Sequence, residues 1–125
     1  MLNAVAVFIG GGLGSVLRYL ISSVYVKHLA INIPLATFSV NVVGSLILGC
    51  AFGYMYKNPD ISSVVKYAVT VGFCGGFTTF STFSLESFML LEDGKILVAV
   101  LYMIVSVMVC LLACAGGFFM AKYYV

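Results

Sequence analysis

The chain has 125 residues, 63% hydrophobic and only 8% charged, with mean hydropathy +1.20 and formal net charge +2. Soluble domains carry about 25% charged residues, so there is too little polar surface here to cover a globule, and an integral membrane protein follows. The small charge and the lack of any basic cluster argue against a nucleic-acid partner.

The N-terminus has no basic segment ahead of its apolar run, which starts at Ala4, and no small-residue cleavage site ends that run, so it reads as a retained first helix. Charges and turn residues then punctuate the chain at Lys27-His28 with Asn32-Ile33-Pro34, at Lys57-Asn58-Pro59-Asp60, at Glu92-Asp93-Gly94-Lys95 and at Lys122. A helix needs roughly 20 apolar residues to cross a bilayer. The spacing therefore predicts one transmembrane domain over 1–125, with helices at Ala4–Val26, Pro34–Tyr56, Val64–Leu91 and Ile96–Ala121. Pro34 suits a first helical position, and Asp93 suits a cap for the fourth helix.

The N-terminus, the second connection and the C-terminus then share one side, with Lys57, Lys66 and Lys122. The other side has Lys27 and Lys95, joined by Arg18 if the end of helix one is counted. So even a distribution gives almost no orienting instruction. It fits either small-number noise or insertion of copies in both directions.

In helix one, Gly10/Gly14 and Gly11/Ser15 form small-residue stripes at i, i+4 spacing, which lets helix backbones approach closely. The string also brushes a dinucleotide-binding pattern, but no strand precedes it and no acid follows. Arg18, the only arginine, lies one turn beyond Gly14. It can snorkel to the interface, face an anion-accessible vestibule, or bond to exposed carbonyls of another helix. In helix two, Thr37, Asn41 and Ser45 share one face, and Gly49 and Gly53 repeat the close-packing spacing. A membrane Asn needs a partner, either as interhelical glue or as part of a polar pore wall.

Helix three contains GFCGGFTTFSTFS, Gly72 to Ser84. Gly75-Gly76 and the hydroxyl run weaken helix continuity, and a break at membrane depth must be satisfied by protein, an ion or a water-filled cavity. Phe80 and Phe83 share a face, with Ser81 and Ser84 on an adjoining stripe. Phenyl edges are electropositive and can face an anion, although ordinary packing is the commoner reason for such a pair. Glu86, the only acid within a span, has interface reach as its ordinary reading. Helix four adds a mildly polar stripe of Tyr102, Ser106, Cys110 and Cys114.

The four cysteines lie in apolar spans without metal-ligand or disulfide spacing, and read as buried small hydrophobes. The single histidine, His28, falls in a loop by pattern. With no paired carboxylates and no activated nucleophile, an enzyme is not expected; transport or permeation remains.

The stretch Gly11 to Tyr19 with Gly14 and Arg18 inside it, Asn41, and GFCGGFTTFSTF together resemble the Fluc (CrcB) family of fluoride channels. The resemblance covers essentially the whole chain. It implies an all-α membrane protein whose third helix is broken near Gly75–Thr79, assembled as an antiparallel, dual-topology homodimer with two pores in the plasma (inner) membrane. It implies passive fluoride export that relieves fluoride toxicity. By motif position, Phe80 and Phe83 are similar to the family's paired pore phenylalanines and Asn41 to its pore asparagine. Ser81, Thr82 and Ser84 lie where the family places polar groups along the ion path, and Tyr102 resembles its pore-associated tyrosine. Arg18 falls at the family's vestibule or structural arginine. Backbone carbonyls of Gly75 and Thr78 match those that hold a structural Na⁺ at the family's dimer interface. Two other readings stand beside this one. A small multidrug-resistance-type, proton-coupled exporter would carry a glutamate in helix one, which this chain lacks. A non-transporting assembly subunit would use its polar groups only to stitch helices together.

Overall fold

The computed structural model describes residues 1–28 and 34–125. Residues 29–33, with the Asn32-Ile33 turn expected there, and the side chains of Val26, Lys27 and His28 lie outside the described residues. The described chain is all helical: α1 (Leu2–His28), α2 (Leu35–Lys57), α3 (Ser63–Tyr67), a π-helical segment (Ala68–Cys74), α4 (Gly75–Phe77), α5 (Phe80–Glu92) and α6 (Ile96–Tyr124). Four spans are long and apolar enough to cross a membrane, the third running from Ser63 to Glu92 through every element from α3 to α5. The protein is a multi-pass membrane protein.

Several local expectations change. His28 is the last residue of α1 rather than a loop residue. Pro34 sits at the N-cap of α2, not inside it, with its carbonyl accepting from Phe38 N–H. Asp93 closes α5 instead of opening α6. The chain needs Gly94, at φ +74°, to reverse, and this leaves Lys95 as the N-cap residue of α6. At the start of α3 the Ser62 hydroxyl accepts from Val65 N–H, the cap that a serine there supplies.

Two seams assemble the bundle, both made of glycine. Along α2 and α6, a Cβ on Gly49 would collide with the Cys114 carbonyl, one on Gly53 with the Phe118 carbonyl, and one on Gly117 with the Leu46 carbonyl. Along α1 and the third span, Gly10 lies against the Ala68 carbonyl, Gly14 against the Phe73 carbonyl, and Gly76 against the Gly11 carbonyl. Removing the side chain lets backbones meet, the contact available to helices in lipid where apolar burial drives little association. A smaller cluster of Phe83, Leu90, Ala99 and Tyr102 joins α5 to α6. The outer surface is apolar, with Phe8, Leu13, Leu97 and Leu111 exposed, as contact with hydrocarbon requires.

Candidate functional site

The third span does break, but not at its glycines. Gly75 keeps right-handed helical torsions, and α4 runs through Gly76 to Phe77. The chain leaves the helix at Thr78 (φ −81°, ψ 160°) and Thr79 (φ −150°, ψ 116°). Glycine permits a break without requiring one. Here Gly76 is needed for its missing Cβ against Gly11, while the threonines supply alternative hydrogen bonds. The π segment lies just upstream. At its start the Thr70 hydroxyl bonds the Lys66 carbonyl at 2.7 Å, occupying an acceptor of the regular ladder. Wide turns of this kind recur at functional sites.

Asn41 clamps the break. Its amide N–H donates to the Thr79 carbonyl at 3.1 Å, and its Oδ1 accepts from Thr79 N–H at 2.8 Å. The side chain thus pairs with one extended residue as a neighbouring strand would. Leaving such a peptide unpaired at this depth costs about 1–3 kcal/mol per group. The Thr79 hydroxyl in turn accepts from Thr82 N–H at 3.2 Å, capping α5, and donates to Thr82 Oγ1 at 3.0 Å. Ser81 Oγ lies 3.3 Å from the same Thr79 hydroxyl. Thr79 is therefore the hub of the hydroxyl cluster, a role that the motif alone left unassigned. Its signal was present in sequence: a Thr three residues before Thr82 at a helix start is an N-cap pattern.

On the other side of the break, Gly76 has lost the Phe80 N–H that a continuous helix would bring to its carbonyl. Arg18 Nε donates to that carbonyl at 3.1 Å, and Ser15 Oγ at 3.3 Å. Of the three readings open for Arg18, bonding to an exposed carbonyl of another helix is the one observed.

A groove of about 390 Å³ opens beside the break, and Asn41, Thr79, Phe80 and Phe83 line it. Phe80 is 77% exposed while Phe83 is 9% exposed, their ring centroids 5.6 Å apart. Phe83 also meets Tyr102, 5.2 Å away. Tyr102 lines a second, smaller groove, and Ser106 lines both. Among the described residues, Ser106 Oγ is the buried side-chain oxygen with no hydrogen-bond partner. Ser106 belongs to the polar stripe on helix four, but nothing in the motif set it apart. Ser84 is not brought to the groove: it is exposed, with its hydroxyl bonded back to the Phe80 carbonyl. Ser81 and Thr82 stand at the start of α5 without lining either groove.

Glu86, expected at the interface, is instead paired with the side chains of two other helices. It accepts from the Thr37 hydroxyl at 2.7 Å and from the Tyr102 hydroxyl at 3.0 Å, tying α2, α5 and α6 together. Thr37 shares the Asn41 face of α2, so one helix face holds both the break and the intramembrane acid. Gly75 is exposed, and a Cβ there would meet nothing within 4 Å. No group of three or more metal-ligating side chains occurs among the described residues.

A bundle of four apolar spans with one span broken and polar-clamped at depth defines a membrane protein of the transport or permeation class. The match to the family described as CrcB-like protein, Camphor Resistance (CrcB), over residues 5–118 makes the assignment specific; the chain belongs to that family. It is 46% identical over 114 residues to the fluoride-specific ion channel FluC of Flavobacterium psychrophilum, covering 91% of this chain and 92% of that one. It is 38% identical over 112 residues to the protein of that name from Citrifermentans bemidjiense, covering 90% of each. With the one from Methylobacterium sp. it shares 41% identity over 124 residues, 99% of each.

Proposed function

We propose that this chain is a fluoride-selective ion channel, passing fluoride down its gradient out of the cell across the plasma (inner) membrane. The observation that carries this reading is the clamped break: Asn41 paired to Thr79 beside Phe80 and Phe83, in a chain so similar to proteins named fluoride-specific ion channels. Fluoride is small and strongly hydrated, so a dry path must replace its water with donors. Asn41 keeps a second amide N–H beyond the one given to Thr79, and it lines the groove with the two phenyl rings. Electropositive ring edges add weak contacts that hold an anion without trapping it. Ser81, Thr82 and Ser84 at the start of α5, and Tyr102 against Phe83, complete the proposed set.

The working unit in this proposal is an antiparallel homodimer with two pores, its copies inserted in opposite orientations. Phe80, largely uncovered in one chain, and Gly75, with open space before it, support a second copy seated on this face. The Gly75 carbonyl does not receive the Thr79 N–H, which is bonded to Asn41, so it is available as a hard oxygen donor. With the Thr78 carbonyl it fits half of a Na⁺ site on the two-fold axis, and two copies would supply four oxygens. When bound, the cation would offset the partial negative charge of converging helix C-termini. The exporter reading has no observation in its favour, since α1 carries no acid.

The direct test is fluoride efflux from liposomes containing only this protein, followed with a fluoride electrode. Flux is expected without a proton gradient, and none would remove the reading. Tagging both termini in cells tests the assembly: each tag is expected on both sides of the membrane, and uniform insertion would exclude dual topology.

A further inference from the structure

We propose that Arg18 is a positioning residue for the pore, acting as the internal cap of the broken span. This rests on the channel reading above. The stripe Gly10, Gly11, Gly14, Ser15 and Arg18 forms one face of α1 at helical spacing. Every member meets the upstream half of the third span. Gly10 faces the Ala68 carbonyl and Phe73 N–H, the two ends of one wide five-residue turn of the π segment. Gly14 faces the Phe73 carbonyl and Phe77 N–H, the two ends of the next four-residue turn. Two glycines one α-turn apart thus seat on two turns of unequal width, and this fixes the phase of the third span against α1. Gly11 faces the Gly72 carbonyl, and its own carbonyl lies where a Gly76 side chain would be.

The stripe ends on the break. A helix that stops leaves its last carbonyls without N–H donors. Gly76 is one of these, and Arg18 and Ser15 both donate to it. A guanidinium donor makes the stronger bond, and its positive charge suits the negative end of the α4 turn. Two residues further on, Thr78 turns out of the helix, and Thr79 pairs with Asn41 of α2. The break is therefore held from both flanks: Asn41 on α2 pairs with its extended residue, and Arg18 on α1 caps the helix before it. Loss of the Arg18 donor leaves the Gly76 carbonyl unpaired at membrane depth, which loosens the turn before Thr78, weakens the pairing of Thr79 with Asn41 and lets Phe80 move in the groove. Arg18 touches no groove-lining side chain by hydrogen bond, so its effect on flux passes through the backbone of Gly76.

The test joins a conformational readout to flux in the full-length protein. Hydrogen exchange is measured by mass spectrometry over 78–83 in wild type, Arg18→Ala and Arg18→Lys, with fluoride efflux from liposomes alongside. In Arg18→Ala, protection across this segment is expected to fall and flux to drop roughly tenfold, as loss of a charge-assisted bond predicts. Lysine keeps a cationic donor and is expected to restore most of both. If Arg18→Ala gives no folded protein, Ser15→Ala decides: removing the weaker donor should lower protection at the same amides by about twofold to threefold. Unchanged protection in the folded Arg18→Ala protein, or in Ser15→Ala when that variant decides, would overturn the proposal. So would an Arg18→Lys protein as exposed as Arg18→Ala. Exchange is read without fluoride, so a wild-type protein that passes no fluoride would remove the channel reading and leave this result legible.

Discussion

The two glycine seams obey one rule and end differently. Between α2 and α6, Gly49, Gly53 and Gly117 bring backbone against backbone, and no hydrogen bond joins these two helices among the described residues. Between α1 and the third span, Gly10, Gly14 and Gly76 do the same, yet the stripe finishes in Ser15 and Arg18 on the Gly76 carbonyl. The dry seam joins continuous helices whose backbone groups are already paired. The wired seam flanks a helix that stops at membrane depth, where each orphan carbonyl needs a donor. Small residues supply proximity in both places; polar residues appear where the ladder has been opened. In the proposed channel the third span is the functional element, and the α2–α6 pair is the frame that carries Asn41 to it.

Breaking either seam should have the largest effect. Gly49→Val and Gly14→Val each drive a side chain into a carbonyl of the facing helix. Each is expected to cost at least about 1–3 kcal/mol, read as lost monodisperse protein and a lower unfolding temperature in detergent. Equal losses would confirm that glycine plays the same part in both seams. Next comes Asn41→Asp, which should abolish flux. A carboxylate oxygen would face the Thr79 carbonyl in place of a donor, and a negative charge would stand in an anion path. Normal conduction by a folded Asn41→Asp protein would place the path elsewhere.

The phenylalanines separate packing from permeation. Phe80→Ile and Phe83→Ile keep bulk but remove the quadrupole, and each should cut fluoride flux by roughly tenfold or more with the assembly intact. Only Phe83→Ile should also lower stability, by about 1 kcal/mol, because Phe83 is buried against Tyr102 while Phe80 is exposed. Gly75→Ala is expected to be silent in the single subunit, where a Cβ meets nothing, and to weaken assembly if a second copy packs there. Cross-linking and light scattering on the purified protein distinguish the two. The smallest effect belongs to Ser84→Ala: stability within about 0.5 kcal/mol, since its hydroxyl bonds back to Phe80, and a loss of flux smaller than at Asn41 or either phenylalanine.

The spans were legible because hydropathy and punctuation residues alone set them, and the glycine stripes because i, i+4 spacing survives in any helix. The break was legible as an event but not to the residue. Gly75-Gly76 are the most permissive pair in the motif, yet their use depends on the Gly11 backbone 65 positions away from Gly76, which no local pattern contains. Asn41 illustrates the same limit. Its chemistry predicted a partner, while its pairing with Thr79 depends on how α2 crosses the third span. Glu86 was misread for lack of that geometry: proximity to the end of a span suggested the interface, and the fold brings Thr37 and Tyr102 to it. Ser106 shows the converse, a hydroxyl ordinary in sequence that becomes singular only because burial leaves it without a partner.

The central claim is that this broken, clamped span forms a path for fluoride in particular. The most direct measurement is paired anion efflux from one preparation of liposomes holding this protein and no other, loaded with potassium fluoride and potassium chloride, diluted into a bath low in both anions, and given a potassium ionophore so that K⁺ leaves with whichever anion passes. The account predicts rapid fluoride release to the electrode endpoint while chloride stays behind on the same timescale. Comparable release of both anions, or retention of fluoride by vesicles that contain folded protein, would contradict it.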